Sequence, residues 1–234
     1  MNFSVYSFAS NGDTMYHKLI TDNVKRWNCI KERPILNFGK HLYISDPLHI
    51  IKRGRYKLLT HNVRLLQKDS EHIQLNSTVK EILNLPTEIL DRSRIAKMHD
   101  DLPIRLFSLK NLDLLLQLEM HSMSAYFIPY SLLIVSLSDD ALTNDQRVDF
   151  LEIVANYLCF YKDLMEKSGN VCLQQGNTSC VVMFDRNIAD DMISTCISIN
   201  SFINLYKGNI NLNRLGSNPI EHHFSSNDMC EVRV

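Results

Sequence analysis

Two acidic residues sit in matching settings near opposite ends of the chain. Asp46 follows the short apolar run Leu42-Tyr43-Ile44 and precedes Pro47, while Glu221 follows Asn218-Pro219-Ile220. A carboxylate delivered where a strand ends can share a hard divalent cation, which takes oxygen ligands. Behind Asp46, the residues Lys52, Arg53, Arg55 and Lys57 place four cations within two helical turns. Charge of that kind suits a phosphate backbone without reading bases. Asp13, in the turn Asn11-Gly12-Asp13, stands where a third carboxylate would be offered after a first strand. Each of these residues also has a plainer use. An Asp before Pro at the head of a helix is an N-cap. Asn218, Pro219 and Glu221 spell a capping box, and Gly-Asp is an ordinary turn. The cations, as two adjacent stripes (Arg53 with Lys57, Lys52 with Arg55), suit a solvated helix face. His49 lies three residues past Asp46 on the same face. Together with His222 and His223 it raises a zinc reading, but no set of four ligands accompanies them.

The elements that must position these groups change character along the chain. Phe3 to Ala9 alternates apolar and small polar residues, the period of a half-buried strand. From Thr14, the spacing of Met15, Leu19, Ile20, Val24 and Trp27 predicts a helix, which Glu32-Arg33-Pro34 breaks. A strand follows over His41 to Ser45, and the Asp46 helix is expected to run to about Gln67. Strand–helix–strand–helix is the grammar of an α/β layer. Beyond roughly residue 70 the spacing predicts helices over Val79–Leu90, Arg105–Ser122, Ala125–Leu137, Asn144–Glu166 and Asn187–Lys207. Thr143 or Asn144 would cap the fourth of these. The one candidate strand in this region is Cys180 to Phe184, a short apolar run that equally suits a buried helix.

The bulk composition bounds the answer. With 234 residues, 45% hydrophobic and 22% charged, the chain is ordinary globular material. A net charge of −1 means that any nucleic-acid contact must rest on local patches. The six cysteines, Cys29, Cys159, Cys172, Cys180, Cys196 and Cys230, form no CxxC pair. They read as reduced, mostly buried thiols of an intracellular protein. No charged N-terminal region followed by a long apolar run is present, and no stretch approaches about 18 consecutive apolar residues. The expectation is a soluble chain in the nucleus or cytoplasm.

Two segments resemble a known family. Asp46-Pro47-Leu48-His49-Ile50-Ile51-Lys52-Arg53-Gly54-Arg55 resembles the Asp-x-x-His-x-x-Lys-x-x-Arg segment of eukaryotic cut-and-paste transposases, of the P-element type and related groups. Leu215-Gly216-Ser217-Asn218-Pro219-Ile220-Glu221-His222-His223-Phe224 is similar to the (Asn/Asp)-Pro-(Leu/Val)-Glu-(His/Asn)-x-Phe segment near the end of the same catalytic core. The resemblance implies a mainly α fold with a small α/β part. A partial RNase H-like core (residues 1–68) would be interrupted by a large all-helical insertion (69–208), with a return to the core at 209–234. It implies DDE-type, two-metal phosphoryl transfer on DNA, with Mg²⁺ or Mn²⁺ held by Asp46, Glu221 and Asp13. Lys52, Arg53, Arg55 and Lys57 would hold the DNA backbone, and His49 and His222 would support the ligands. DNA and a second copy of the chain are the implied partners, with no membrane.

Two departures from the family pattern bear on activity. Asn11 stands where the first catalytic acid is expected, leaving Asp13 as the nearest substitute, and an amide there loses a charge. After Phe224 the chain gives Ser225-Ser226-Asn227-Asp228, where a Gly, a basic residue and a last core helix are expected. The expectation is a truncated or decayed transposase-derived chain without activity. The competing expectation, from another class, is a helix-rich interaction protein in which Asp46 and Glu221 only cap helices.

Overall fold

The computed structural model describes residues 7–10, 37–38, 41–64, 73–93, 99–167, 180–184 and 186–205. This part of the chain is mainly helical. Strand β1 (Ser7–Ser10) runs parallel to β3 (His41–Ser45), which also pairs antiparallel with the short β2 (Asn37–Phe38), giving the order β1-β3-β2. The expected strand over His41 to Ser45 is reproduced to the residue.

Helix α1 (Pro47–Thr60) leaves β3 at once, with Asp46 as its cap and Pro47 in the first turn. Ile50, Ile51, Leu58 and Leu59 are buried, and they lie on more than one side of it. Burial of each such side chain is worth about 1.5–3 kcal/mol over exposure. The helix does not reach Gln67. His61 is extended, its N–H donating to the Lys57 carbonyl, and β4 (Asn62–Arg64) begins straight after. The sequence reading overlooked β4 because three residues carry too little period to register.

The stretch expected as one helix over Val79–Leu90 is instead α2 (Ser77–Ile82) and a 3-10 turn (Thr87–Leu90). Asn84, with φ of 48°, and Pro86 separate them. Arg105–Ser122 likewise divides into α3 (Asp101–Leu106), α4 (Leu109–Gln117) and the start of α5 (His121–Ser138). Ser108 caps α4, and the Asn111 amide donates to the Arg105 and Leu106 carbonyls that close α3. Glu119, at φ 55°, lets the Met120 N–H reach back to the Leu115 carbonyl. This left-handed closure satisfies orphan carbonyls at a helix end.

Helix α6 (Asn144–Lys167) opens on a reciprocal box: the Gln146 N–H donates to Thr143 Oγ1, and the Thr143 N–H to Gln146 Oε1. Strand β5 (Cys180–Val182) then pairs parallel with β4, so the region 69–208 is not helical throughout. Helix α7 (Arg186–Leu205) packs against α6, β3 and α1. A single buried cluster runs from Ile50 to Ile203 through all of these helices. At its centre Phe107 stacks on Tyr130 at 4.5 Å and Tyr126 on Phe184 at 5.2 Å. Of the thiols with described side chains, Cys196 is buried and Cys159 is exposed.

Candidate functional site

The candidate site lies where the parallel strands end and α1 begins. Strand register aligns Ser10 of β1 with Ser45 of β3, so the carboxyl ends of both strands lie side by side, immediately before Asp46. In open sheets with parallel strands, ligands bind beyond those ends. Asp46 is only 4% exposed. Its Oδ1 accepts from the Leu48 N–H at 3.0 Å and, more weakly, from the His49 N–H at 3.4 Å. The capping use is therefore in place, and it engages one carboxylate oxygen.

His49 is half-buried one turn into α1. Burial holds its pKa below the usual imidazole value, and the cations Arg53 and Lys52 add to that, opposed by the carboxylates of Asp46 and Asp191. At this site the imidazole is thus biased to its neutral form.

The four cations of α1 divide into two pairs. Lys52 pairs with Asp100, and Arg53 Nη1 donates to Asp191 Oδ2 at 2.6 Å. Both cations keep partial solvent access, with side chains 20% and 29% exposed. Arg55 and Lys57, at 3% and 7%, are inside the molecule. The solvated-face reading therefore fails for these two. α1 is packed on more than one side, and Arg55 has turned inward to meet the 3-10 turn, donating to the Glu88, Ile89 and Asp91 carbonyls.

Asp191 is the residue that sequence reasoning missed. It is 4% exposed on α7, 138 positions from its partner Arg53. No local pattern marks it; only its place beside apolar neighbours, Ile188 and Met192, hinted at burial. Asp13, Glu221, His222 and His223 lie outside the described residues. Among the described residues, no group of three or more His, Cys, Asp or Glu side chains could hold a metal ion. Asp46 alone does not make a divalent site. Also among the described residues, no helix is long and apolar enough to cross a membrane.

No protein-family model matches this sequence, and no curated protein matches it. A solved structure does. A chain of the Drosophila P element transposase strand transfer complex superposes with a TM-score of 0.63 at 15% identity. The two chains share a fold. The match takes in 96% of this chain but 55% of that one, so this chain spans about half the length of the transposase chain.

Proposed function

We propose that this chain is transposase-derived, descended from an enzyme that cuts and joins DNA through an RNase H-like core, and that it lacks that activity by itself. The observation that carries the reading is the fold shared with a P element transposase chain over 96% of this sequence. It agrees with the two motifs around Asp46 and Glu221, since a DDE-type core offers its carboxylates where strands end. The paired ends of β1 and β3, with Asp46 directly behind them, supply such a place.

On this reading Asp46, Glu221 and Asp13 are the inherited ligands for Mg²⁺ or Mn²⁺. Such ions would activate a hydroxyl and stabilise the leaving oxygen. His49 and His222 would support the ligands. The DNA backbone would meet Lys52 and Arg53, the two cations of α1 that keep solvent access, in a salt-dependent contact. Residues 1–68 and 209–234 would belong to the core, with the intervening helices as an insertion.

Manganese titration tests the ligand set. Mn²⁺ broadens the NMR signals of nuclei close to it, so the amides of residues 44–50 and 219–223 are the reporters. The expected outcome is joint broadening of both groups, lost in Glu221→Gln, a change that leaves a capping side chain in place. Broadening of neither group, or of one alone, removes the ligand set from the proposal. Strand transfer is expected to be undetectable with Mg²⁺. Transfer that disappears in Asp46→Ala would overturn the inactive half of the reading.

One observation favours the interaction-protein alternative. Asp46 caps α1, Lys52 and Arg53 pair with carboxylates, and Arg55 serves the backbone. A chain with these contacts and no Mn²⁺ response would be a helical binding module.

A further inference from the structure

Helix α6 carries two apolar seams. The inner one, Leu151, Val154, Leu158 and Tyr161, is buried. The outer one, offset by one residue, is Phe150, Ile153, Tyr157, Phe160 and Leu164. Both follow the alternating three-and-four spacing that gathers side chains into a stripe on one helix face. Two of its residues are at the surface, Ile153 at 49% exposed and Phe160 at 68%, the highest value for any large apolar side chain among the described residues, while Phe150, Tyr157 and Leu164 are partly buried.

This seam joins a second stripe. The Tyr157 hydroxyl donates to the Ala125 carbonyl of α5 at 2.8 Å. Ala125, Ile128, Leu132 and Val135 repeat at the same spacing along α5, and all four are only partly buried. The short hairpin makes the two helices neighbours, and the Tyr157 hydrogen bond brings their stripes together as adjoining apolar surface of the kind on which a third helix packs.

The exposed charges around this surface are mostly acidic: Asp139, Asp140, Asp145 and Asp149 at the α5–α6 hairpin and the first half of α6, then Asp163 and Glu166 with Lys167 at its end. The sole base in positions 139–156 is Arg147, which is 5% exposed, its guanidinium donating to the Ser136 and Asp139 carbonyls. Symmetric apposition of two copies would bring like charges together, which disfavours a self-dimer.

We infer that the α5–α6 face docks an amphipathic helix of a partner protein, apolar on its contact side and basic on its flanks. The inference does not depend on the transposase reading. Helix-in-groove binding takes anchors at i, i+3 or i+4, and i+7, and the acidic rim selects Lys or Arg beside them.

The test uses the full chain and two synthetic 18-residue helices, both with Leu at three-and-four spacing, one flanked by Lys and the other by Glu. Fluorescence anisotropy at low salt is expected to show the Lys-flanked helix binding at least ten-fold tighter. Phe160→Ser, at a surface position, should weaken it ten-fold or more with unchanged circular dichroism. Asp149→Lys should narrow the preference several-fold. Equal binding of the two helices, no binding of either, or indifference to Phe160→Ser overturns the inference. So does sedimentation showing a wild-type dimer that Phe160→Ser dissociates, which would make a second copy the occupant.

Discussion

The Tyr130 ring passes so close to Gly54 that a Cβ built on the glycine would lie 2.5 Å from the ring's Cζ. α1 and α5 thus meet with backbone against ring, and the Tyr126 hydroxyl donates to the Gly54 carbonyl at 3.0 Å beside it. Tyr130 has little room to retreat. It is fully buried, stacked on Phe107 and tilted against Tyr126 at 5.2 Å. An interior helical Gly→Ala normally stabilises by up to about 1 kcal/mol. Here overpacking reverses the sign, and Gly54→Ala should cost about 1–3 kcal/mol. Urea unfolding measures it, and adding Tyr130→Leu should recover part of the loss.

The hydroxyl of Tyr157 does work that the backbone of α5 cannot. Pro129 lies inside that helix and has no N–H to give the Ala125 carbonyl four residues earlier. Tyr157 donates to that carbonyl instead. Tyr157→Phe should therefore cost about 1–3 kcal/mol, the usual penalty for a polar group left without its partner. Burial also pushes the Tyr157 pKa up to about 12. The native state then holds its proton longer than the unfolded chain, whose tyrosines titrate near about 10. Stability is full below pH about 10 and declines as pH rises toward 12. In Tyr157→Phe that part of the decline should disappear.

The residues around Asp46 were legible because their rules are local. An Asp before Pro, and Thr143 or Asn144 before an apolar run, mark a helix start within one turn, and the structure has Asp46 as one cap and Thr143, paired with Gln146, as the other. The β3 run could be read from its apolar residues, while the run at β5 suited a buried helix equally well, and its pairing with β4 decided between the two. What escaped were decisions made at a distance. Asn84 and Glu119 adopt left-handed φ to break helices whose apolar spacing continues through the break. Arg55 turned inward because three carbonyls of the 3-10 turn needed a donor, which the pattern of α1 does not foretell. Asp191 acquired meaning only once α7 folded onto α1. The mainly helical character and the longer strand β3 were thus readable in period, whereas the two- and three-residue strands β2 and β4 and the partners of charged residues were not.

Arg55 should tolerate no replacement. Its Nε and Nη2 donate to the Ile89 carbonyl at 3.2 and 2.8 Å, and Nη2 also reaches those of Glu88 and Asp91. A planar fork can serve such a group of acceptors, while the lysine ammonium is a compact point charge. Arg55→Lys and Arg55→Met should each destabilise by about 2–4 kcal/mol, through carbonyls left without donors. If Arg55 instead faced DNA, both changes would weaken DNA binding and leave the melting temperature unmoved. Differential scanning calorimetry beside anisotropy on a duplex separates the two outcomes.

His49 links the site to pH. Its folded pKa is lowered from 6.5, first by burial and then by Arg53 and Lys52, against the pull of Asp46 and Asp191. A group with a depressed pKa binds its proton more readily in the unfolded chain. The unfolded state therefore gains protons first as pH falls. Stability from the neutral imidazole is present above pH about 6.5 and is lost as pH drops through and below it. Comparing unfolding free energies of wild type and His49→Gln from pH 8 to 5 should show wild type losing ground to the variant below about 6.5. Removing the pair with Arg53→Gln brings the folded pKa back toward the unfolded value, so the loss should still begin near pH about 6.5 but be smaller. A loss of unchanged size would mean that burial alone sets the imidazole's charge.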